Sequence, residues 1–250
     1  MIIVKNKRSI EKMIQAGGLL AGVFESLNSY IRPGVTTLEI DSEIVRLLKA
    51  SRLLSQTVGY AGYQHASCIS VNHEVVHGVP SSAKMLKDGD LVKVDICASY
   101  DGYCADMARP FFVGQRLAQA EHLVLIAQSA LDLGIKQAVP GNRVHDISHA
   151  IQTEVEKYGY GVVRDFAGHG IGKRMHEDPE VPNYGKPGTG PLIYAGMSFA
   201  IEPMITLGGW SVGVCPRDKW TVTTKDGSLS AHVEDTVVVL DNGPYITTRR

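Results

Sequence analysis

Residues 89–114, GDLVKVDICASYDGYCADMARPFFVG, constrain this chain more than any other stretch. Positions 91–98 are rich in Val and Ile, positions 103–113 are apolar and aromatic, and Asp101-Gly102 lies between them. Asp-Gly supplies the two positive φ angles of a type I′ turn, so the stretch reads as a two-residue β-hairpin. The turn sets the register: with Tyr100 opposite Tyr103, Asp106 faces Cys97, and Asp95 lies two residues further along the strand of Cys97. Side chains alternate across a strand, so Asp95, Cys97 and Asp106 share one face. The two aspartates are then diagonal neighbours, about 7–8 Å apart at the backbone, and both can lean toward a point between them. One acid in a strand is commonly an edge residue. Two on one face raise each other's pKa unless cations neutralise them, which leaves a divalent-metal site and a proton-sharing dyad both open.

The remainder of the chain bounds the context. At 250 residues and 44% hydrophobic content there is ample material for the core of one large domain or two fused halves. A net charge of −1 provides no field for nucleic acid or an anionic membrane, and Lys173-Arg174 and Arg249-Arg250 read as solvated surface. The start, MIIVKNKRSIEKM, lacks the apolar run and small-residue cleavage site of a leader, and no window reaches membrane-spanning length, so a cytoplasmic protein is expected. Cys68, Cys97, Cys104 and Cys215 show no Cys-x-x-Cys spacing, against both a zinc knuckle and a disulfide framework.

Organisation along the chain is repetitive. Residues 9–30 have helical periodicity ended by Arg32-Pro33-Gly34, and Thr36 with Glu39 forms a capping-box signal for a second helix carrying Ile40, Ile44, Val45 and Leu48. A short strand at 68–71 precedes the acidic hairpin. The pattern then recurs: helix 117–138, Pro140-Gly141, helix 144–158, strand 161–166, and a Gly-led strand 196–202 ending on an acid. Pro33 and Pro140, Gly89 and Gly196, and Asp95 and Glu202 are each 107 positions apart. This reads as a duplication within one domain, 1–250, of two halves, about 1–115 and 116–250, in which Glu202 is the counterpart of Asp95. Glu234 is a further acid in the Val-rich strand expected at 230–240.

Beside Asp95, Asp106, Glu202 and Glu234 stands His169, set between glycines in Ala167-Gly168-His169-Gly170-Ile171-Gly172. The glycines permit close backbone approach, whereas their spacing is not that of a phosphate-binding loop. On its own such a histidine is as readily a core residue as a ligand.

The order Asp95, Asp106, His169 within GHGIG, His176-Glu177, Glu202-Pro203 and Glu234 ahead of Thr236, together with His77-Gly78-Val79-Pro80, resembles the type I methionine aminopeptidases over essentially the whole chain, in their short bacterial form. The resemblance implies an α+β "pita-bread" fold, two pseudo-symmetric halves around a curved antiparallel sheet with helices on its outer face. It implies two divalent ions held by Asp95, Asp106, His169, Glu202 and Glu234, with Asp106 and Glu234 bridging both. Four carboxylates and an imidazole favour Mn²⁺, Fe²⁺ or Co²⁺ and admit Zn²⁺. Glu202 is also the implied proton acceptor, His176 the oxyanion partner and His77 a contact to the substrate peptide. Tyr60, Tyr63, Cys68, Met175 and Trp220 match the thioether pocket, and Asn72 and Ser230 resemble an auxiliary monovalent-cation site.

Four departures from the family pattern stand out. Met107 replaces the usual Ser or Thr after the second aspartate, Asp235 a His after Glu234, Met175 an aromatic residue before His176, and Cys97 a common threonine. The first two concern residues that orient ligands. The expected function is removal of initiator methionine from nascent chains with a small second residue, by a monomer whose expected partners are peptides beginning with Met and the ribosome. The rivals are an X-Pro dipeptidase, which shares fold and ligands but usually carries an additional N-terminal domain, and a non-catalytic peptide-binding module, which predicts degraded ligands.

Overall fold

A computed structural model describes all 250 residues. In the first half, α1 (Lys7–Leu27) and α2 (Thr37–Ala50) precede β1 (Leu54–Ser55), β2 (Cys68–Val71), β3 (Leu91–Tyr100) and β4 (Tyr103–Phe112). In the second, α3 (Ala118–Lys136) and α4 (Val144–Glu156) precede β5 (Gly161–Val162), β6 (Ala167–Gly170), β7 (Glu177–Pro182), β8 (Ser198–Ile201) and β9 (Met204–Thr206). The chain ends with β10 (Val212–Val214), β11 (Val222–Thr224), β12 (Ser230–His232), β13 (Glu234–Leu240) and β14 (Gly243–Ile246).

Local chemistry sets the helix starts. Asn6 Oδ1 accepts from Ser9 N at 3.0 Å to open α1. At α2 the capping box is complete: Thr36 Oγ1 accepts from Glu39 N at 3.2 Å and Glu39 Oε2 accepts from Thr36 N at 2.8 Å. Losing such a cap costs about 1 kcal/mol. Buried Met13, Leu20, Phe24 and Leu27 form the inner stripe of α1, which lies against β3 and β4. The helix stops at Leu27, ahead of the Arg32-Pro33-Gly34 signal, because a turn from Tyr30 N to Leu27 O already redirects the chain.

The main sheet is antiparallel in the order β1-β3-β4-β13-β8-β6-β7, with β2 on β3 and β14 on β13. The hairpin has the expected register, with Tyr100 opposite Tyr103 and Cys97 opposite Asp106, and Asp101 and Gly102 take φ of 47° and 78°. Val92, Val94, Ile96 and Ala98 therefore face the helices in one apolar cluster, while Lys93, Asp95 and Cys97 face the other way.

The halves repeat in their hydrogen bonds. Gly34 N donates to Leu86 O at 2.9 Å and Gly141 N to Ile193 O at 3.0 Å; Leu86 N donates to Val35 O and Ile193 N to Asn142 O, both at 2.8 Å. Thr36 bridges Met85 as Arg143 bridges Leu192. Each pair is displaced by the 107 residues seen in the sequence. Gly34 and Gly141, the glycines after each proline, both adopt positive φ, 86° and 95°. One apolar cluster is drawn from residues 16–113 and another from 123–239.

Two strand expectations need correction. Positions 161–166 are not one strand: only Gly161–Val162 pairs, with β9, and the chain rejoins the main sheet at Ala167. Positions 230–240 break at Val233 into β12 and β13, opposite Pro203. Proline has no N–H for the ladder, so pairing lapses between β8 and β9 and between β12 and β13, although Met204 opposite His232 and Ile201 opposite Asp235 keep one continuous register. Glu202 and Glu234 sit at this interruption.

Candidate active site

A cavity of about 810 Å³ opens on the sheet face opposite the helices. It is lined by all of the residues singled out as ligands, catalytic groups or thioether pocket: Asp95, Asp106, His169, Glu202 and Glu234, His77 and His176, and Tyr60, Tyr63, Cys68, Met175 and Trp220.

At its floor, one ligand-type atom each from Asp106, His169 and Glu234 lies within 4.8 Å of the others. His169 Nε2 is 3.8 Å from Asp106 Oδ2 and 3.7 Å from Glu202 Oε1. Asp95 lines the same cavity outside that group of three, and its charge acts on Glu202 and Glu234. His169 reaches the acids because its strand approaches β8 and β7 closely: a Cβ on Gly168 would meet Ala200 O at 2.4 Å, and one on Gly170 would meet Asp178 O at 2.2 Å. Its Nδ1 is 2.9 Å from Gly170 O; a proton there donates to the carbonyl and leaves the Nε2 lone pair facing the carboxylates.

Electrostatically the floor is unbalanced. Burial, then the charge of Asp106, holds the Asp95 carboxyl well above its usual range. Burial does the same to Glu202 and Glu234, with repulsion from the neighbouring acids added. Burial raises Asp106 to about 6 even though the Cys97 thiol and the Met107 N–H stabilise its anion. His169 is pushed down to about 4, by burial and then by His176. Asp106 Oδ1 and Glu234 Oε1 are buried without a hydrogen-bond partner. Orphaned acceptor oxygens beside an unprotonated imidazole nitrogen are the donor set of a cation site, and they fit divalent ions better than the proton-sharing dyad that two aspartates alone left open.

Above the floor, His176 Nδ1 is 2.9 Å from Tyr60 Oη, and its ring stands at right angles to that of His169 with centroids 4.4 Å apart. His77 adopts a left-handed φ of 57° and packs edge-on to Phe166. Burial, then His176, lowers its imidazole to about 4. Tyr63 donates to Ser67 O at 2.9 Å and meets Trp220 edge-to-face at 5.0 Å.

The departures at Met107 and Asp235 face away from the cavity. Met107 joins the apolar cluster under α1, and the amide of Asp106 is held by Thr236 Oγ1 at 2.8 Å. Asp235 is fully buried and accepts from Arg109, Arg249 and Thr248. Cys97 and Met175 do line the cavity.

Two site residues escaped the sequence reading. His232 is buried with Nε2 3.4 Å from Glu202 Oε2, and Phe166 forms part of the wall. Strand alternation was the missed signal for His232, two positions before Glu234; nothing local marked Phe166. Between Asn72 and Ser230, the expected monovalent-cation position, the structure places Lys93 Nζ.

The sequence pattern of metallopeptidase family M24 matches residues 11–241, and the chain belongs to that family. It is 48% identical to a methionine aminopeptidase of Clostridium acetobutylicum over 99% of both chains. The crystal structure of methionine aminopeptidase from Thermotoga maritima superposes with a TM-score of 0.97 at 42% identity, covering 100% of each chain. A prolidase from Pyrococcus furiosus shares the fold at TM-score 0.77 and 24% identity, with this chain covering 66% of it. The fold is thus the α+β pita-bread architecture, a curved antiparallel sheet between two pseudo-symmetric halves with helices outside.

Proposed function

We propose that this protein is a metal-dependent aminopeptidase that removes N-terminal methionine, acting as one catalytic domain over 1–250 whose halves meet near residue 115. The observation that carries the reading is the cluster of Asp106, His169 and Glu234 with two orphaned carboxylate oxygens at the bottom of a cavity walled by Tyr63, Cys68 and Trp220. Membership of a metallopeptidase family and the near-full-length likeness to methionine aminopeptidases support it.

Asp95, Asp106, His169, Glu202 and Glu234 would hold two divalent ions, of Mn²⁺, Fe²⁺, Co²⁺ or Zn²⁺, with Asp106 and Glu234 shared. Bound there, the ions would acidify a water and polarise the scissile carbonyl. The protein's own groups do the rest. Glu202, whose carboxyl is already biased toward protonation, takes the proton of the attacking water and passes it to the leaving amine. Tyr60 Oη donating to His176 Nδ1 leaves the His176 proton on Nε2, where it serves the carbonyl oxygen as negative charge develops. His77, unprotonated at neutral pH, contacts the peptide beside the scissile bond. Aromatic edges and the Cys68 and Met175 sulfurs suit a thioether side chain. Its substrates are nascent chains with a small second residue, met in the cytoplasm at the ribosome by a monomer; no helix is long and apolar enough to cross a membrane.

The test is hydrolysis of Met-Ala-Ser and Ala-Pro by the purified protein, with chelator and with added Mn²⁺ or Co²⁺. Metal-dependent cleavage of Met-Ala-Ser alone is expected, with Met-Ile-Ser and Met-Lys-Ser resistant. Cleavage of Ala-Pro instead makes it an X-Pro dipeptidase, and turnover of neither makes it a binding module.

A further inference from the structure

Oxygens from two distant segments converge on one buried point below the cavity floor. Asn72 takes a left-handed φ of 53°, secured by its side chain, which donates to Asp90 Oδ1 at 2.8 Å and accepts from Leu91 N at 2.9 Å. This conformation turns the Asn72 carbonyl toward β12, where Ser230 N lies 3.1 Å away and Ser230 Oγ 2.9 Å away. The same hydroxyl is 3.0 Å from Glu74 O. Its single proton cannot satisfy both carbonyls. Two backbone carbonyls and a hydroxyl form an oxygen cage of the kind that replaces the hydration shell of a monovalent cation.

A side chain of this protein already reaches two of these three oxygens. Lys93 is 1% exposed and heads the largest fully buried side chains in the molecule. Its Nζ donates to Asn72 O at 2.8 Å and approaches Ser230 Oγ at 3.4 Å. We propose that Lys93 Nζ is a tethered replacement for a monovalent cation at this point, so that the protein neither needs nor admits K⁺ or Na⁺ there. Asn72 and Ser230 do not, in this chain, form the auxiliary ion site expected from the sequence.

The replacement has a role in the site above it. Lys93 lies two residues before Asp95 on the same face of β3, and Ser230 opens the β12 strand that leads through His232 to Glu234. The Lys93 side chain thus ties the strand carrying Asp95 to the one leading into Glu234, across 137 residues of sequence. It is a positioning residue, and the inference stands on the Asn72 geometry, independently of which peptide is cut.

The experiment compares wild type and Lys93→Asn in KCl, NaCl and N-methylglucamine chloride at equal ionic strength, by melting temperature and by kcat/KM on Met-Ala-Ser. Wild type is expected to give the same values in all three salts. Lys93→Asn, with the cage vacated, is expected to melt lower and to lose about tenfold in kcat/KM in N-methylglucamine, with saturable recovery of both in KCl or NaCl. Lys93→Met, which fills the space without a donor, should be impaired in every salt. A saturable gain of wild type in KCl or NaCl overturns the proposal, and that measurement stands even if Lys93→Asn does not fold. A folded Lys93→Asn protein indifferent to the cation overturns it too. Because melting is read alongside turnover, failure of this proposal is distinguishable from failure of the aminopeptidase reading.

Discussion

Glu234 and Asp235 are consecutive acids that face opposite sides of one strand, Glu234 into the cavity with a partnerless oxygen and Asp235 into a cage of Arg109, Arg249 and Thr248. Asp235 oxygens are 2.5 Å from Arg109 Nη2 and 2.7 Å from Arg249 Nε. Arg109 Nη1 also donates to the Glu234 carbonyl at 2.5 Å, so the cage grips the backbone of the proposed ligand from behind. Asp235→Ala should destabilise the protein by about 2–3 kcal/mol, below the usual cost of breaking a buried pair because both arginines reach solvent. Thermal melting checks this: a drop of roughly 5–10 °C is expected for a domain of this size. An unchanged melting temperature would show that the cage contributes nothing.

The proposed bridging role separates the acids from the histidines. Chelation should abolish turnover, and Asp106→Ala or Glu234→Ala should lower kcat/KM far more than His77→Ala, because each acid would serve both ions whereas His77 touches only peptide. Metal content measured alongside kinetics should fall from two ions per chain in the acid variants and stay at two in His77→Ala. Full activity of Asp106→Ala would dismiss the dinuclear assignment.

Metal-free protein should show a signature of Asp106 in its pH dependence. The folded pKa, about 6, lies above the ordinary aspartate value of 3.8, so the folded state holds the proton more tightly. The stability this contributes is complete below about pH 4 and is lost as pH rises through 6, a difference of about 2–3 kcal/mol. Denaturant melts of metal-free wild type and Asp106→Asn from pH 4 to 8 isolate the effect from the histidines, whose lowered pKa values act in the opposite direction in both proteins. The variant should gain relative to wild type as pH rises through this window, and a constant difference would contradict the assignment. Saturating Mn²⁺ should stabilise wild type above pH 6 by neutralising the acids.

Cys97 faces Asp106 across the hairpin, is 1% exposed, and packs with Met13, Cys104, Ile171 and Val238. A thiol is a weak donor to a carboxylate and a soft ligand to a metal. Cys97→Thr should tighten Mn²⁺ binding by up to about tenfold, and excess Zn²⁺ should inhibit wild type more than the variant. Superimposable titrations of the two proteins would leave Cys97 as packing alone.

The hairpin register, the capping box at Thr36 and the 107-residue repeat were legible in the sequence because each depends on rules acting within a few residues: an Asp-Gly turn, a hydroxyl three positions before a carboxylate, a left-handed glycine after proline. Those rules also sufficed to aim Asp95 and Asp106 at one face, since alternation along a strand leaves no choice. Local rules fell short at 230–240, where the interruption is caused by Pro203 on the facing strand. They were equally silent on Lys93 reaching Ser230, on His232 meeting Glu202, and on Asp235 drawing in Arg109 and Arg249. Lys93 with Ser230 and Asp235 with Arg109 join the two halves, whereas His232 with Glu202 and Asp235 with Arg249 join segments of the second half that meet only in the folded sheet. Alternation along a strand sets the face on which such a side chain lies, but the partner of a buried polar atom is whatever group the folded structure brings beside it, and that choice is made by packing across the whole domain.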